Sequence, residues 1–185
     1  KNTNISQNES VNDGGAINFP SKLVGIDNDY VEITDSVIDN NYAQGKGGGL
    51  VVANKVIFSK TTLSNNEGVK SGGGIHINNG DVTFNSGEIY GNKTGNNGQG
   101  IYVNGLLKIK GSIYFNDNNN VYLKKNNITF GSEFQDRGDG SYECMHFETK
   151  QATGFTTPEA VKREMLCQFN WSQISTNITE LKVLN

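Results

Sequence analysis

Apolar residues in this chain follow a pattern that returns about every 25 residues. Aligning VEITDSVIDNN (31–41), VIFSKTTLSNN (56–66), VTFNSGEIYGN (82–92) and LKIKGSIYFN (107–116) puts Val31, Val56, Val82 and Leu107 in one column, with steps of 25, 26 and 25. Two residues on stand Ile33, Phe58, Phe84 and Ile109. Ile38, Leu63, Ile89 and Ile113 come next, the last reached through a one-residue deletion. Three residues after each of these is an asparagine: Asn41, Asn66, Asn92 and Asn116. The same unit opens the chain as Ile5 to Asn8, and an insertion over residues 19–30 stretches the first step to 33.

The second half of each unit is a glycine step followed by short alternating apolar residues: GGAINF (14–19), GGGLVVA (47–53), GGGIHIN (72–78) and GQGIYVN (98–104). A fixed period of this length marks a stacked repeat. Helical periodicity is missing, as is the L-x-x-L-x-L skeleton of leucine-rich repeats, so α-solenoids and that family drop out. Short strands of period 2 between Gly/Asn turns fit a parallel β-helix, in which each strand pairs with its equivalent one coil away. The expected fold is all-β: a solenoid of about five coils over residues 1–130, one repeat per coil. In-register stacking sets Asn8, Asn41, Asn66, Asn92 and Asn116 over one another as a structural hydrogen-bonded ladder. The glycines turn a corner at φ > 0 and allow close backbone approach. Loops ESVND, YAQGK, EGVKS and KTGNN connect the two strands of each coil, and Ile75 and Ile77 point into the core while His76 points outward.

Composition supports this reading. Asn and Gly are abundant, and only 34% of residues are hydrophobic, low for a globule with one central core. Low-complexity disorder shares that composition but not the evenly spaced Val, Ile, Phe and Leu pairs. The net charge of −3 and the absence of a basic run leave no footprint for nucleic acid. No stretch approaches the ~20 apolar residues of a membrane span. Lys1 begins in mid-pattern, as in a piece of something longer.

Gly14-Gly15-Ala16-Ile17 resembles the GGA(I/L/V) tetrapeptide of the chlamydial polymorphic outer-membrane proteins and of similar adhesin-like surface proteins. That family pairs it with FxxN; here the partner is IxxN or LxxN, at Ile5–Asn8, Ile38–Asn41, Leu63–Asn66, Ile89–Asn92 and Ile113–Asn116. The glycine motif drifts to GGGL, GGGI and GQGI. The resemblance covers about residues 1–130. It implies a right-handed β-helix, exposure on a cell surface, and adhesion to a host-cell or neighbouring surface protein or glycan.

The chain changes character near residue 131. Residues 1–130 hold 24 Asn and residues 131–185 hold 3, while both Cys, both Met and the single Trp lie in the second part. A solenoid end needs a cap, and TTPEAVKREMLCQF suits one: Thr157 as N-cap, Pro158 at the first helical position, and Val161, Met165, Leu166 and Phe169 on one face. The expectation is a mixed capping segment over 131–185 with one amphipathic helix; an independent docking segment is the alternative. Gly131-Ser132-Glu133-Phe134 also spells what two adjacent cloning sites encode, which leaves an artificial junction as a third reading. Cys144 and Cys167 suggest one disulfide in an exported-looking chain, with free buried thiols as the alternative.

Chemistry is sparse. Pectin-active β-helices need acids clustered on one strand face with a basic residue or calcium, yet Asp35, Asp39, Asp81, Glu88 and Asp117 are scattered over turns and non-equivalent rungs. Asp27-Asn28-Asp29 offers oxygens for calcium but lacks the rest of an EF-hand. His76 and His146 have no nucleophile or carboxylate at a recognisable spacing. No cofactor motif stands out. Arg137-Gly138-Asp139 holds a guanidinium and a carboxylate apart between glycines, as an adhesion motif would. Sequons occur at Asn4, Asn8, Asn92, Asn127, Asn170 and Asn177, mostly a consequence of composition. The expectation is a non-catalytic, extracellular, adhesin-like β-helix, with a polysaccharide-active β-helix and a structural unit of a filament or coat as alternatives.

Overall fold

The period-2 runs become short strands, and the Gly/Asn stretches become the bends between them. In the computed structural model, residues 1–21, 30–109, 113–115, 121–124, 128–131, 147–149 and 181–184 are described. The first turn holds β1 (Asn4–Ser6), β2 (Glu9–Ser10), β3 (Ile17–Phe19) and β4 (Val31–Thr34). The next holds β5 (Val37–Asp39), β6 (Tyr42–Ala43), β7 (Leu50–Val52) and β8 (Lys55–Ser59). Then come β9 (Thr61–Ser64), β10 (Glu67–Gly68) and β11 (Ile75–Phe84), followed by β12 (Gly87–Tyr90), β13 (Lys93–Thr94) and β14 (Ile101–Ile109). Beyond these are β15 (Ile113–Phe115), β16 (Val121–Leu123), β17 (Ile128–Gly131), β18 (Phe147–Thr149) and β19 (Leu181–Leu184). All of these strands pair in parallel, and no helix occurs among the described residues. The chain is an all-β parallel solenoid, and its continuous stretch 30–109 makes about three turns.

Stacking gives three sheets. One runs β1-β5-β9-β12-β15, a second β2-β6-β10-β13, and a third, larger sheet contains β3-β7-β11-β14-β16-β18 together with β4, β8, β17 and β19. The second sheet corrects the expected five-residue loops, since each contains a two-residue strand. Strands that short carry no alternation for a sequence pattern to register.

Register follows the repeat. Val31 pairs with Val56, Val56 with Val82, and Val82 with Leu107. Ile75 lies between Leu50 and Ile101, and Ile77 between Val52 and Val103. The core is a stack of like residues: Val56, Phe58, Leu63, Ile75, Ile77, Val82, Phe84, Ile89, Ile101 and Leu107 are all fully buried. The Phe58 and Phe84 rings stack at 4.7 Å and 16°, a contact that adds about 0.5–1.5 kcal/mol to what their buried area contributes. At the far end the register departs from the alignment. Gly87 pairs with Ile113 and Ile89 with Phe115, so Phe115, rather than Ile113, is in register with Ile89. Gly87 has no side chain, and buried Ile113 stands in register with it.

Three columns of residues at positive φ form the bends. Asn2, Asp35 and Lys60 make one, at φ 53, 49 and 49. Gln7, Asn40, Asn65 and Gly91 make the second, at 58, 53, 53 and 64. Gly14, Gly47, Gly72 and Gly98 make the third, at 75, 63, 65 and 72. The third column is glycine in every turn. At Gly72 a Cβ would lie 2.4 Å from the Ile75 carbonyl oxygen, an overlap added to the usual cost of left-handed backbone.

Candidate binding faces

Asn8, Asn41, Asn66 and Asn92 each follow a positive-φ residue, and this bend turns the amide inward. Asn8 Nδ2 donates to Asn41 Oδ1 at 2.9 Å, Asn41 Nδ2 to Asn66 Oδ1 at 2.9 Å, and Asn66 Nδ2 to Asn92 Oδ1 at 3.0 Å. The same oxygens accept the main-chain N–H of Asn8, Asn41 and Asn66 at 3.0, 3.1 and 3.0 Å. The second Nδ2 proton of Asn41, Asn66 and Asn92 goes to the carbonyl of Ile5, Ile38 or Leu63 on the preceding turn. Asn41, Asn66 and Asn92 are buried, and Asn8 at the end is exposed. A buried amide is costly unless its donors and acceptors are filled, and this geometry fills both Asn41 and Asn66. The column is therefore structural. Its fifth expected member, Asn116, lies outside the described residues.

The outward row of the largest sheet runs Asn18, Val51, His76, Tyr102 and Tyr122. His76 stacks on Tyr102 at 4.6 Å and 8°, and Tyr102 on Tyr122 at 5.0 Å and 20°. Ser71 Oγ lies 2.8 Å from His76 Nδ1. His76 does alternate away from the core, but it is only 3% exposed, which corrects the expectation of a solvent-facing histidine. The neighbouring ring and Ser71 cover it, and a period-2 pattern cannot reveal either. Burial, then the Lys46 ammonium, pushes its pKa down to about 4; Asp13 opposes the shift and Lys124 adds to it. Burial, then Tyr102's neighbour Tyr122, holds the Tyr102 phenol above its usual value. A neutral imidazole bonded to a hydroxyl in a stack serves packing, and among the described residues no carboxylate is bonded to it.

The small second sheet carries an exposed and varied row. Glu9, Tyr42, Glu67 and Lys93 stand in register there. Glu9, Glu67 and Lys93 are exposed and Tyr42 is half-buried. Just beyond them Val11 and Val69 are 70% and 40% exposed. Acid, aromatic, base and aliphatic side chains thus project from a scaffold whose interior hardly changes.

Among the described residues these candidate acids do not gather. Asp35 sits at a bend and Glu88 is exposed on β12; Asp39 lies on β5, where Asn40 Nδ2 donates to it; and Asp81 pairs with Lys108 Nζ at 2.8 Å. Among the described residues no three His, Cys, Asp or Glu side chains are grouped to hold a metal ion. Asp27, Asp29, Asp117, Cys144, Cys167, His146, Arg137-Gly138-Asp139 and the helix expected over 157–169 all lie outside the described residues.

Comparison with protein-family models, with curated proteins and with solved structures gave no match to this chain.

Proposed function

We propose that the chain is a non-catalytic, adhesin-like module of an extracellular surface protein. In this reading it forms five right-handed coils, with residues 131–185 and their amphipathic helix as cap. Its partner is a surface protein or glycan. The observation that carries the reading is the in-register row Glu9, Tyr42, Glu67 and Lys93, where side-chain chemistry varies over a repetitive core. Binding residues concentrate on variable segments held by a rigid frame. The resemblance of the GGAI and IxxN units to surface-protein repeats points the same way.

A glycan panel and a cell-binding assay, run beside a reducing-sugar assay, test it. Saturable binding is expected to disappear when the four row residues are changed to Ser with unfolding unaltered. Turnover of a pectin- or alginate-like polymer would instead support a polysaccharide-active β-helix and sink the proposal.

A further inference from the structure

The second sheet carries more on its outer surface than the row Glu9, Tyr42, Glu67 and Lys93. The Gln44 N–H donates to the Ser10 carbonyl and the Val69 N–H to the Ala43 carbonyl, at 3.0 Å each. The parallel register therefore continues past the short strands. Residues two apart along an extended chain share a face, so Val11, Gln44 and Val69 form a second outward row beside the first. Tyr42 stands one coil from a carboxylate on either side, a step of ~4.8 Å. Glu9 and Glu67 are exposed, and neither side chain forms a hydrogen bond or ion pair with a described residue. Both valines are exposed as well. Tyr42, Gln44, Glu67 and Val69 belong to inner turns, where the coils on both sides fix their outward direction.

We propose that this face takes an arginine side chain from an extended segment of a partner protein, an inference that rests on the reading of the row as the binding face. The guanidinium lies over Tyr42 between Glu9 and Glu67, and its methylenes run along Gln44 between Val11 and Val69. Three features converge on that side chain. An aromatic ring attracts a cation to its face. The two carboxylates supply the opposite charge, and a planar guanidinium bonds carboxylates through its fork, where an ammonium acts as a point charge. The exposed valines suit an apolar stem. An acidic glycan would meet two like charges here, and a neutral one would leave both carboxylates without a counter-charge. Lys93 stands one coil beyond Glu67 and repels a second cation, so the face favours a single arginine over a basic run.

The test titrates the isotope-labelled full chain with an acetylated, amidated peptide of Gly and Ser carrying one central arginine, read by NMR chemical shifts. A twin peptide carries citrulline, the uncharged isostere of arginine. Saturable shifts are expected at Tyr42, Glu67 and Val69. Affinity should fall about tenfold or more with the citrulline peptide or with Glu67→Gln protein. Glu88→Gln, which alters an exposed acid on β12 in another sheet, should leave it unchanged. The citrulline peptide leaves the protein untouched, so the outcome does not hinge on folding of a variant. No saturable shift up to about 10 mM peptide, equal binding of the two peptides, or an equal loss with Glu88→Gln would each overturn the proposal. Saturable shifts of the same row with a neutral hexasaccharide, without arginine binding, would also overturn it and leave the row standing as the binding face. Cell binding that survives the four changes to Ser would remove the face itself.

Discussion

A Cβ atom on Gly74 would stand 3.2 Å from the Cγ of Asn92 and 2.6 Å from the Gly100 carbonyl oxygen. The relationship recurs one turn earlier, where a Cβ on Gly49 would stand 3.2 Å from Asn66 Cγ. The two halves of the repeat are therefore coupled. The third glycine of GGG leaves room for the asparagine that ends the (I/L)xxN unit of the following turn.

Gly74→Ala is accordingly a severe substitution. The obstructing atom is backbone, which cannot swing aside, and overpacking of this kind costs about 1–3 kcal/mol or more. Gly95 faces only the Val69 carbonyl, at 3.3 Å, so Gly95→Ala should stay within about 0.5 kcal/mol of the parent. Urea denaturation of the two variants makes the comparison; equal costs would show that the close approach does not matter.

Asn66→Leu should cost about 3 kcal/mol or more. It strands the main-chain N–H and Nδ2–H of Asn41 and removes one of the two hydrogen bonds that Asn92 Oδ1 accepts, and each buried orphan costs about 1–3 kcal/mol. Asn8→Leu, at the exposed end, should cost less than about 1 kcal/mol. Combining Asn66→Leu with Asn92→Leu should cost clearly less than the sum of the two singles, because the variants share a network. Chemical denaturation of the three variants reads this directly.

His76 gives stability a pH dependence with a definite sign. Its folded pKa of about 4 lies below the ordinary 6.5, so between these values the unfolded chain takes up a proton that the folded chain refuses. The neutral ring's contribution is full above pH 6.5, falls as the pH drops towards about 4, and is flat below that. His76→Gln should remove this segment of the profile. Unfolding midpoints at pH 7.5, 5.5 and 4.5 compare the two proteins, and parallel profiles would contradict the assignment.

Lys60 holds φ 49 with a side chain that faces solvent, and its N–H is bonded to Ser86 Oγ at 2.9 Å. Left-handed backbone costs an ordinary residue roughly 1–2 kcal/mol, and asparagine visits it more easily. Lys60→Asn should therefore raise stability by about 0.5–1 kcal/mol, and Lys60→Val should lower it. Thermal melting of both variants is the check; a rise for the valine protein would refute the strain argument.

The interior of this fold was written in the sequence because stacking makes it redundant. The columns through Val56, Leu63 and Ile75 repeat at fixed intervals, and strand pairing follows those intervals. What escaped the pattern was local. β2, β6, β10 and β13 are too short to alternate. The burial of His76 depends on Tyr102 one turn away, which only register brings beside it. In the last unit Ile113 and Phe115 are both apolar at period 2, so the alignment on Ile113 satisfied the apolar pattern although Phe115 is the residue in register with Ile89. The small Gly87 lets Ile113 stand where the earlier turns carry Thr61. Counted from Phe115, the asparagine three residues on is Asn118 rather than Asn116; both lie outside the described residues. The exposed row on the second sheet was legible only as variable loops, because nothing in a loop sequence says which side chains will share a line.

The asparagine column also has an electrical consequence. Each side-chain carbonyl from Asn41 to Asn92 is directed back towards the turn before it, and one Nδ2–H of each of Asn8, Asn41 and Asn66 is directed on towards the next. Their dipoles therefore add along the solenoid axis, and hydrogen bonds in series polarise one another. The sum places partial negative charge at the N-terminal tip, opposite in sense to the dipole of an α-helix. Every further turn lengthens this dipole without adding a single formal charge.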